Sequence, residues 1–312
     1  MHKFGFVFPG QGSQKLGMLS ELASANDIVQ ATFAEASEVL DYDLWEICQH
    51  DADNNLDQTE ITQPVLLTSS VAIMRLWESR GGASPSILAG HSLGEYSALV
   101  CAGVLDFKDA VQVVHQRGNS MQSAVTADSG KMAAIVGLEN YQINEICDEA
   151  EELGIVSAAN FNSPGQTVIA GETAAVDQAI ELCKEAGAKR ALPLNVSVPS
   201  HCALMRPAAA ELESVLANIE FQKPKIAVVQ NVNADITEDP LAIKQNLIKQ
   251  LYEPVLWVDC VQVIAKAGVS HLVEIGPGKV LCGLIKRIDS ELVCLGSDNS
   301  TALDSAMSEM TA

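Results

Sequence analysis

The five residues Gly90-His91-Ser92-Leu93-Gly94 constrain this chain more than any other segment. They follow an apolar run at 86–89, which predicts a short strand, and precede a helix predicted from Glu95 towards Gly103. A GxSxG sequence between a strand and a helix is typical of a nucleophile elbow, where small residues let the chain turn sharply and expose a serine oxygen above a sheet. The same residues also suit a serine that caps a helix in a tight turn. Ser92 is therefore a candidate nucleophile, and the second interpretation stays open.

The order of predicted elements indicates an α/β chain interrupted by a second, smaller unit. Around the elbow, strands alternate with helices, which predicts a mostly parallel sheet with helices on both faces. Over residues 132–194 the order becomes βαββαβ, which predicts a ferredoxin-like insert with two helices on one face of an antiparallel sheet. The polar tail from Ser297 is expected to fray. The expected division is a core at 1–127 and 199–312 and a small subdomain at 128–198.

Composition excludes several classes of function. Nineteen Lys and Arg against 40 Asp and Glu give a net charge of −21, so neither nucleic acid nor an anionic membrane surface is an expected partner. No apolar stretch approaches membrane-spanning length, and the run before Pro9 is too short for a secretory signal. The eight cysteines are scattered singly without CxxC spacing, which supports neither a zinc site nor a redox pair. We expect mostly buried thiols in a cytoplasmic protein that binds no metal.

A nucleophilic serine needs a base, and His201 is the strongest candidate among the six histidines. It lies in a loop-like Val-Pro-Ser-His run where the predicted insert returns to the core. His50 is expected on a surface and His115 within a helix. His271 is expected at the start of a buried strand, and His91 is expected to point away from the serine. The acids between Ser92 and His201 resemble solvated helix faces. We therefore expect a Ser–His dyad whose imidazole is oriented by a backbone carbonyl, without a third acidic member.

Four motifs, in order along the chain, resemble those of malonyl-CoA:acyl carrier protein transacylases. They are Phe8-Pro9-Gly10-Gln11-Gly12-Ser13-Gln14, Gly90-His91-Ser92-Leu93-Gly94-Glu95-Tyr96, Gln116-Arg117-Gly118 and Pro199-Ser200-His201. The resemblance covers nearly the whole length and implies a hydrolase-like core with a ferredoxin-like insert. It also implies ping-pong transfer of malonyl from malonyl-CoA to the phosphopantetheine thiol of acyl carrier protein in fatty-acid biosynthesis. Both thiol compounds enter as substrates, and no cofactor is expected.

The same resemblance implies the roles of the reacting groups. Ser92 attacks the thioester while His201 takes its proton, and the malonyl group rests on the serine as an ester. The backbone N–H groups of Gln11 and Leu93 bind the oxyanion; that of Leu93 also lies at a predicted helix N-terminus, where the dipole favours negative charge. Gln250 orients the histidine through its carbonyl oxygen.

Arg117 and Met121 are the residues that the resemblance places around the acyl group. A guanidinium group pairs with both oxygens of a free carboxylate, so Arg117 would select malonyl over acetyl. Without the resemblance, an ordinary arginine on a helix face is the expected interpretation. Met121 suits the acyl pocket and also suits a hydrophobic core.

Other classes of function stay open at this point. A serine esterase or thioesterase shares the elbow, dyad and oxyanion hole and differs only in accepting water. A non-enzymatic acyl-binding protein would explain the composition and fold, but it would not need both Ser92 and His201. An acyltransferase domain of a polyketide synthase is a narrower alternative.

A carrier protein of this pathway is, as the resemblance implies, acidic, so its docking surface on this acidic chain must be locally basic. Few basic pairs exist in the sequence (Lys189-Arg190, Lys286-Arg287, and Lys223 with Lys225). The pair at 189–190 lies shortly before His201. We hypothesise that it steers the carrier to the cleft between core and insert, with the pair at 286–287 as a second contact.

Overall fold

Two β-sheets and their surrounding helices form the part of the chain that the computed structural model describes, residues 3–126, 128–196 and 198–311. The strands are β1 Phe4–Phe8, β2 Ile87–Gly90, β3 Gly130–Val136, β4 Val156–Ser163, β5 Gln166–Glu172, β6 Arg190–Pro193, β7 Ala227–Val229, β8 His271–Glu274 and β9 Val293–Gly296. The helices are α1 Ser20–Ala25, α2 Asp27–Leu40, α3 Leu44–Gln49, α4 Thr59–Ser79, α5 Gly94–Cys101, α6 Phe107–Ser123, α7 Asn140–Ala150, α8 Thr173–Glu185, α9 Arg206–Leu216, α10 Pro240–Gln250, α11 Trp257–Lys266, α12 Val280–Ile288 and α13 Ser300–Thr311. Short 3₁₀ turns follow α7 and precede α9.

The larger sheet has the order β7-β2-β1-β8-β9, and all its pairings are parallel. Every residue of the central strand β1 is buried, which explains its continuous apolar sequence, because helices cover a parallel sheet on both faces. Phe8 at the end of β1 pairs with Gly90 at the end of β2. The loops that follow these two strands therefore leave the sheet at the same edge, and this edge carries the candidate site.

The smaller sheet is antiparallel, with the order β4-β5-β3-β6. Helices α7 and α8 pack on one face, where apolar residues at helical spacing meet inward-facing strand residues (among them Ile143, Val176, Ile180, Ile135 and Ile169). On the other face, Met132, Val168 and Ala170 pack against Cys202. The βαββαβ order predicted for this segment is confirmed. The small sheet thus lies directly against the segment that carries His201.

Two predicted elements are confirmed to within two residues at each end, and the prediction for the C-terminal tail is wrong. The helix predicted at 61–80 is α4, and the strand predicted at 86–89 is β2. The tail does not fray: α13 buries Leu303, Ala306 and Met310, because their spacing forms one apolar stripe on a polar helix. The boundary predicted at residue 127 lies outside the described residues. Within the described ranges, no helix combines the length and apolar character needed to cross a membrane.

The cysteine prediction holds for most of the eight residues and fails for one pair. Cys282 on α12 and Cys294 on β9 form a disulfide, and the carboxylate of Glu274 lies within 4.8 Å of their sulfur atoms. Such a group of side chains could hold a metal ion, but the two sulfurs are bonded to each other. The sequence spacing of 12 residues does not match a known motif, so the pairing arises only from packing of α12 beside β9. The remaining thiols are buried, apart from the half-buried Cys101.

Candidate active site

Ser92 lies on a tight turn between β2 and α5, as the elbow motif predicts. Its φ of 51° is in the left-handed region, which is unfavourable for a residue with a side chain. The flanking glycines make the turn sterically possible: a Cβ atom at Gly90 would overlap the backbone of Gly94, and one at Gly94 would overlap the carbonyl of Phe8. The Ser92 backbone N–H donates to Asn231 Oδ1 at 2.8 Å. A hydrogen bond from another part of the chain therefore fixes the strained turn.

His201 is the histidine that meets the serine. Its Nε2 lies 2.8 Å from Ser92 Oγ, and its Nδ1 lies 2.6 Å from the backbone carbonyl oxygen of Gln250. Burial, together with the nearby positive charge of Arg117, lowers the pKa of His201 to about 3. The imidazole is consequently neutral, with Nδ1–H donating to the carbonyl and Nε2 free to accept the serine proton. The predicted dyad oriented by a backbone carbonyl matches this geometry.

Arg117 on α6 places a buried guanidinium group beside the dyad. The residue is 1% exposed; its Nη1 donates to Gln63 Oε1 at 2.8 Å, and its Nη2 donates to Gln250 Oε1 at 3.0 Å and to Ser92 Oγ at 3.4 Å. Burial lowers the pKa of Arg117. Across the described ranges, no carboxylate forms a salt bridge with it. A buried cation without a direct anionic partner is costly unless a bound anion completes the site.

A cavity of about 290 Å³ opens above these groups, between the two sheets. Its walls come from the core and from the small sheet, whose Met132, Asn160 and Val168 line it. Six of the seven predicted site residues line this cavity (Gln11, Ser92, Leu93, Arg117, Met121 and His201). The seventh, Gln250, is fully buried behind the dyad, which agrees with a role through its backbone carbonyl oxygen.

Gln11 and Leu93 present backbone groups at the edge of the sheet where the cavity opens. Gln11 lies in the turn after β1, and Leu93 immediately precedes α5. Over residues 3–126, 128–196 and 198–311, neither backbone N–H donates to another residue. The Leu93 N–H also lies at the positive end of the α5 dipole. Both groups can therefore donate to a negative oxygen that develops in the cavity.

His91 is closer to the site than the sequence suggested. Its ring also lines the cavity, but Nε2 bonds to Asn162 Oδ1 at 2.8 Å, and the ring packs edge-on against Trp257 with centroids 5.4 Å apart. Asn162 belongs to β4, so this bond joins the elbow to the small sheet across the cavity. The two residues are far apart in sequence, and no motif spacing could have paired them.

The chain matches known proteins over almost its whole length. Residues 5–293 match the acyl transferase domain family. The malonyl CoA-acyl carrier protein transacylase of Salmonella typhimurium is 54% identical over 309 residues, covering 99% of this chain and 100% of that protein. This chain belongs to the malonyl CoA-acyl carrier protein transacylases. The malonyl CoA-acyl carrier protein transacylase of Bacillus subtilis is 42% identical, covering 98% of this chain and 97% of that protein.

Solved transacylases share the fold as well as the sequence. The acyl carrier protein S-malonyltransferase of Vibrio cholerae superimposes with a TM-score of 0.95 at 56% identity, covering 97% of this chain and 99% of that one. A malonyl-transacylase in complex with its type II PKS acyl-carrier protein gives a TM-score of 0.97 at 54% identity, covering 98% and 99%. The family relationship therefore includes the whole α/β architecture around the cavity.

Proposed function

We propose that this protein transfers the malonyl group from malonyl-CoA to the phosphopantetheine thiol of acyl carrier protein, through a malonyl ester on Ser92, in fatty-acid biosynthesis. One observation carries the proposal: the same serine oxygen lies 2.8 Å from a neutral imidazole nitrogen and 3.4 Å from a buried guanidinium nitrogen. The first contact supplies a base for acyl transfer. The second supplies a cation for an acyl group that carries its own carboxylate.

In the first half-reaction, Ser92 Oγ attacks the thioester carbonyl carbon while His201 Nε2 accepts the hydroxyl proton. The carbonyl oxygen becomes negative and accepts hydrogen bonds from the backbone N–H groups of Gln11 and Leu93. The carbon–sulfur bond then breaks, and the imidazolium returns its proton to the departing CoA sulfur. The Gln250 carbonyl oxygen stabilises the imidazolium by holding Nδ1–H throughout.

The second half-reaction runs the same steps with a different thiol. His201 takes the proton of the carrier thiol, whose sulfur attacks the ester carbonyl of malonyl-Ser92. The bond to Oγ breaks, and the imidazolium protonates the serine oxygen, which restores the free site. Exchange of an acyl group between two thiols requires no change of oxidation state, and we propose that the protein side chains suffice without a cofactor.

Selection of malonyl is assigned to Arg117, with Met121 lining the acyl pocket. The guanidinium group lies at the cavity wall without a direct anionic partner, and a malonyl ester on Ser92 would bring its carboxylate to this charge. A bidentate arginine–carboxylate pair is both strong and directional. An acetyl group fills the same space but offers no carboxylate.

We also propose that the chain divides into a hydrolase-like core, residues 1–127 and 199–312, and a ferredoxin-like subdomain, residues 128–198. The elbow at the end of β2 in a parallel sheet supports the first assignment. The strand order β4-β5-β3-β6 with α7 and α8 on one face supports the second. The cytoplasm is the proposed compartment.

The proposed carrier contact is a basic surface that spans the small sheet and α12. Arg190 pairs with Val136, and Val136 pairs on its other side with Gln166; Arg287 on α12 donates to Gln166 Oε1 at 2.5 Å. Neighbouring strands lie about 4.8 Å apart, so the two basic pairs lie on one face of the molecule. All four side chains are exposed (Lys189, Arg190, Lys286 and Arg287).

Mass spectrometry after mixing with malonyl-CoA tests the proposed function. The expected result is a malonyl adduct on Ser92 that persists in buffer and is discharged by the thiol form of the carrier protein. Ser92→Ala should form no adduct, and His201→Ala should load at least about 10²–10⁴-fold more slowly. Rapid hydrolysis of the adduct without a thiol would instead indicate an esterase, and absence of any adduct would indicate an acyl-binding protein. Retention of malonyl transfer by Ser92→Ala would overturn the nucleophile assignment.

A further inference from the structure

Beneath the dyad lies a cluster of three buried polar side chains that does not line the cavity. It consists of Glu95 in the first turn of α5, Asn231 after β7 and Gln250 at the end of α10. Glu95 is 1% exposed, and the other two are fully buried. Because none of the three is among the residues that line the cavity, any effect on the reaction must pass through the residues they hold.

One oxygen of Glu95 accepts two hydrogen bonds from the other members of this cluster. Glu95 Oε2 accepts from Gln250 Nε2 at 2.8 Å and from the Asn231 backbone N–H at 3.1 Å. Glu95 Oε1 is buried without a hydrogen-bond partner. Burial raises the pKa of Glu95 to about 7, against the opposing effects of Gln250, Asn231 and Arg117. A proton on Oε1 would leave Oε2 able to accept both bonds, so the arrangement is kept in either protonation state.

These bonds determine which way the Gln250 amide points. Its NH₂ group faces Glu95, and it also donates to the Ser92 carbonyl oxygen at 3.0 Å and to Asn231 Oδ1 at 3.2 Å. The amide oxygen therefore points the other way, towards Arg117 Nη2 at 3.0 Å. A reversed amide would place an oxygen against a carboxyl oxygen and an NH₂ group against a guanidinium group. Both contacts would be repulsive, so Glu95 and Arg117 together fix the orientation.

We propose that Glu95 is a positioning residue for malonyl transfer: its carboxyl group holds the Gln250 side chain so that the amide oxygen fixes the guanidinium group of Arg117. This proposal rests on the malonyl transfer proposed above. The other two acceptors of the Gln250 NH₂ group are neutral and lie farther away, whereas Glu95 supplies the shortest bond. Arg117 in turn must be held in place to receive a carboxylate, because misplacement of a bidentate contact removes its advantage.

Two substitutions distinguish the effect of the Glu95 side-chain length from the effect of its charge. Glu95→Asp keeps the carboxylate but withdraws it by about 1.5 Å, the length of one carbon–carbon bond, so the bond to Gln250 is lost. Glu95→Gln keeps the reach and an acceptor oxygen but removes the charge. If position is what matters, Glu95→Asp should be the more damaging change. If the buried negative charge is what matters, Glu95→Gln should be worse.

The measurement is the ratio of the malonyl to the acetyl loading rate on Ser92, followed by mass spectrometry with malonyl-CoA and acetyl-CoA. A displaced Arg117 that loses one charge-assisted bond to the malonyl carboxylate predicts that Glu95→Asp lowers this ratio by about ten- to a hundred-fold, while Glu95→Gln lowers it less. Acetyl loading does not use the guanidinium group, so the ratio separates positioning of Arg117 from a general loss of folding. Melting temperatures of all variants are measured alongside.

Glu274→Asp is the matched control. Glu274 is also a fully buried carboxyl group; it accepts from the backbone N–H groups of Leu281 and Cys282 at 3.1 and 2.8 Å, and it is not among the cavity-lining residues. Shortening the Glu274 side chain should lower the stability of the protein and leave the malonyl:acetyl ratio unchanged. An unchanged ratio in Glu95→Asp, a larger loss in Glu95→Gln, or an equal shift in Glu274→Asp would each overturn the proposal. Failure of the wild-type protein to load malonyl would contradict the proposed function itself, which is a separate outcome.

Discussion

Replacing Arg117 by alanine is expected to lower malonyl transfer far more than acetyl transfer. The guanidinium group is buried, lies 3.4 Å from the nucleophilic oxygen, and has no carboxylate partner in a salt bridge within the described chain. In the proposed malonyl transfer, the substrate carboxylate would become that partner. In acetyl transfer the charge has no favourable contact with the acyl group, so its removal takes nothing from the reaction.

The expected fall in the malonyl:acetyl ratio comes from the bond to the malonyl carboxylate, and a second effect of the charge acts on both reactions. A hydrogen bond to a charged group contributes about 1.5–3 kcal/mol, which corresponds to about one to two powers of ten in the malonyl:acetyl ratio. The Arg117 charge also lowers the pKa of His201, in addition to the larger effect of burial. Its removal makes the imidazole a better base, so acetyl transfer is expected to hold or rise while malonyl transfer falls.

The substitution also affects stability, and the ratio is chosen because this effect cancels in it. The side-chain oxygens of Gln63 and Gln250 each lose the donor that Arg117 supplies, at about 1–3 kcal/mol for each unsatisfied buried group. Removal of a buried charge offsets part of this. The net loss of stability acts on the protein before either acyl group binds, so it lowers the malonyl and acetyl rates together.

The assay is rapid-quench loading of Ser92 with malonyl-CoA or acetyl-CoA, measured as adduct mass against time. Arg75→Ala is the matched control, because Arg75 is a partly buried arginine that bonds to Glu35 at 2.6 Å and lies over the ring of Phe107, outside the cavity. It should leave the ratio unchanged. An equal fall of both rates in Arg117→Ala would refute the assignment and show that the arginine only supports the fold.

Two further predictions concern the carrier protein and the buried carboxyl group outside the site. Charge reversal at Lys189 and Arg190 should slow transfer to the acidic carrier, with an effect that fades as salt rises, while loading from malonyl-CoA changes less; equal loss in both half-reactions, or a salt-independent loss, would contradict the docking surface. Burial raises the pKa of Glu274 from 4.5 to about 7, so between these pH values the folded state binds more protons than the unfolded state and stability falls as pH rises. The melting temperature of Glu274→Gln minus that of the wild type should therefore increase as pH rises across this interval. A difference that does not change with pH would refute the argument.

The elbow could be predicted from sequence because steric rules act within a few residues. Gly90 and Gly94 are required where the strand and the helix approach so closely that a Cβ atom would overlap the backbone. Strands and helices followed in the same way from local periodicity, and so did the βαββαβ order. The tail prediction is wrong because the polar composition of this segment conceals an apolar stripe at helical spacing on α13.

Elimination among the histidines selects His201 as the base, but the other partners of the elbow could not be derived from the residues alone because they come from distant segments. Ser92, His201 and Gln250 meet only when the loop before α9 and the end of α10 pack against the larger sheet, and the resemblance to a family was needed to name Gln250. The bond between His91 and Asn162 could not be predicted for the same reason. Local rules identify a candidate nucleophile and one candidate base, whereas the orienting group and the proposed substrate cation depend on the tertiary fold.

If Arg117 binds the malonyl carboxylate as proposed, its buried charge also links recognition of the acyl group to its reactivity. In the free site, burial and this cation together lower the pKa of His201 to about 3, so the imidazolium that forms during attack by Ser92 is disfavoured. A malonyl carboxylate on the guanidinium group neutralises the cation at the moment when the second positive charge develops. With an acetyl group, no anion neutralises the guanidinium group, and the two positive charges repel each other. Selection of malonyl is therefore expected in the rate constant of serine acylation as well as in affinity, because the substrate anion stabilises the transition state through the same arginine that binds it.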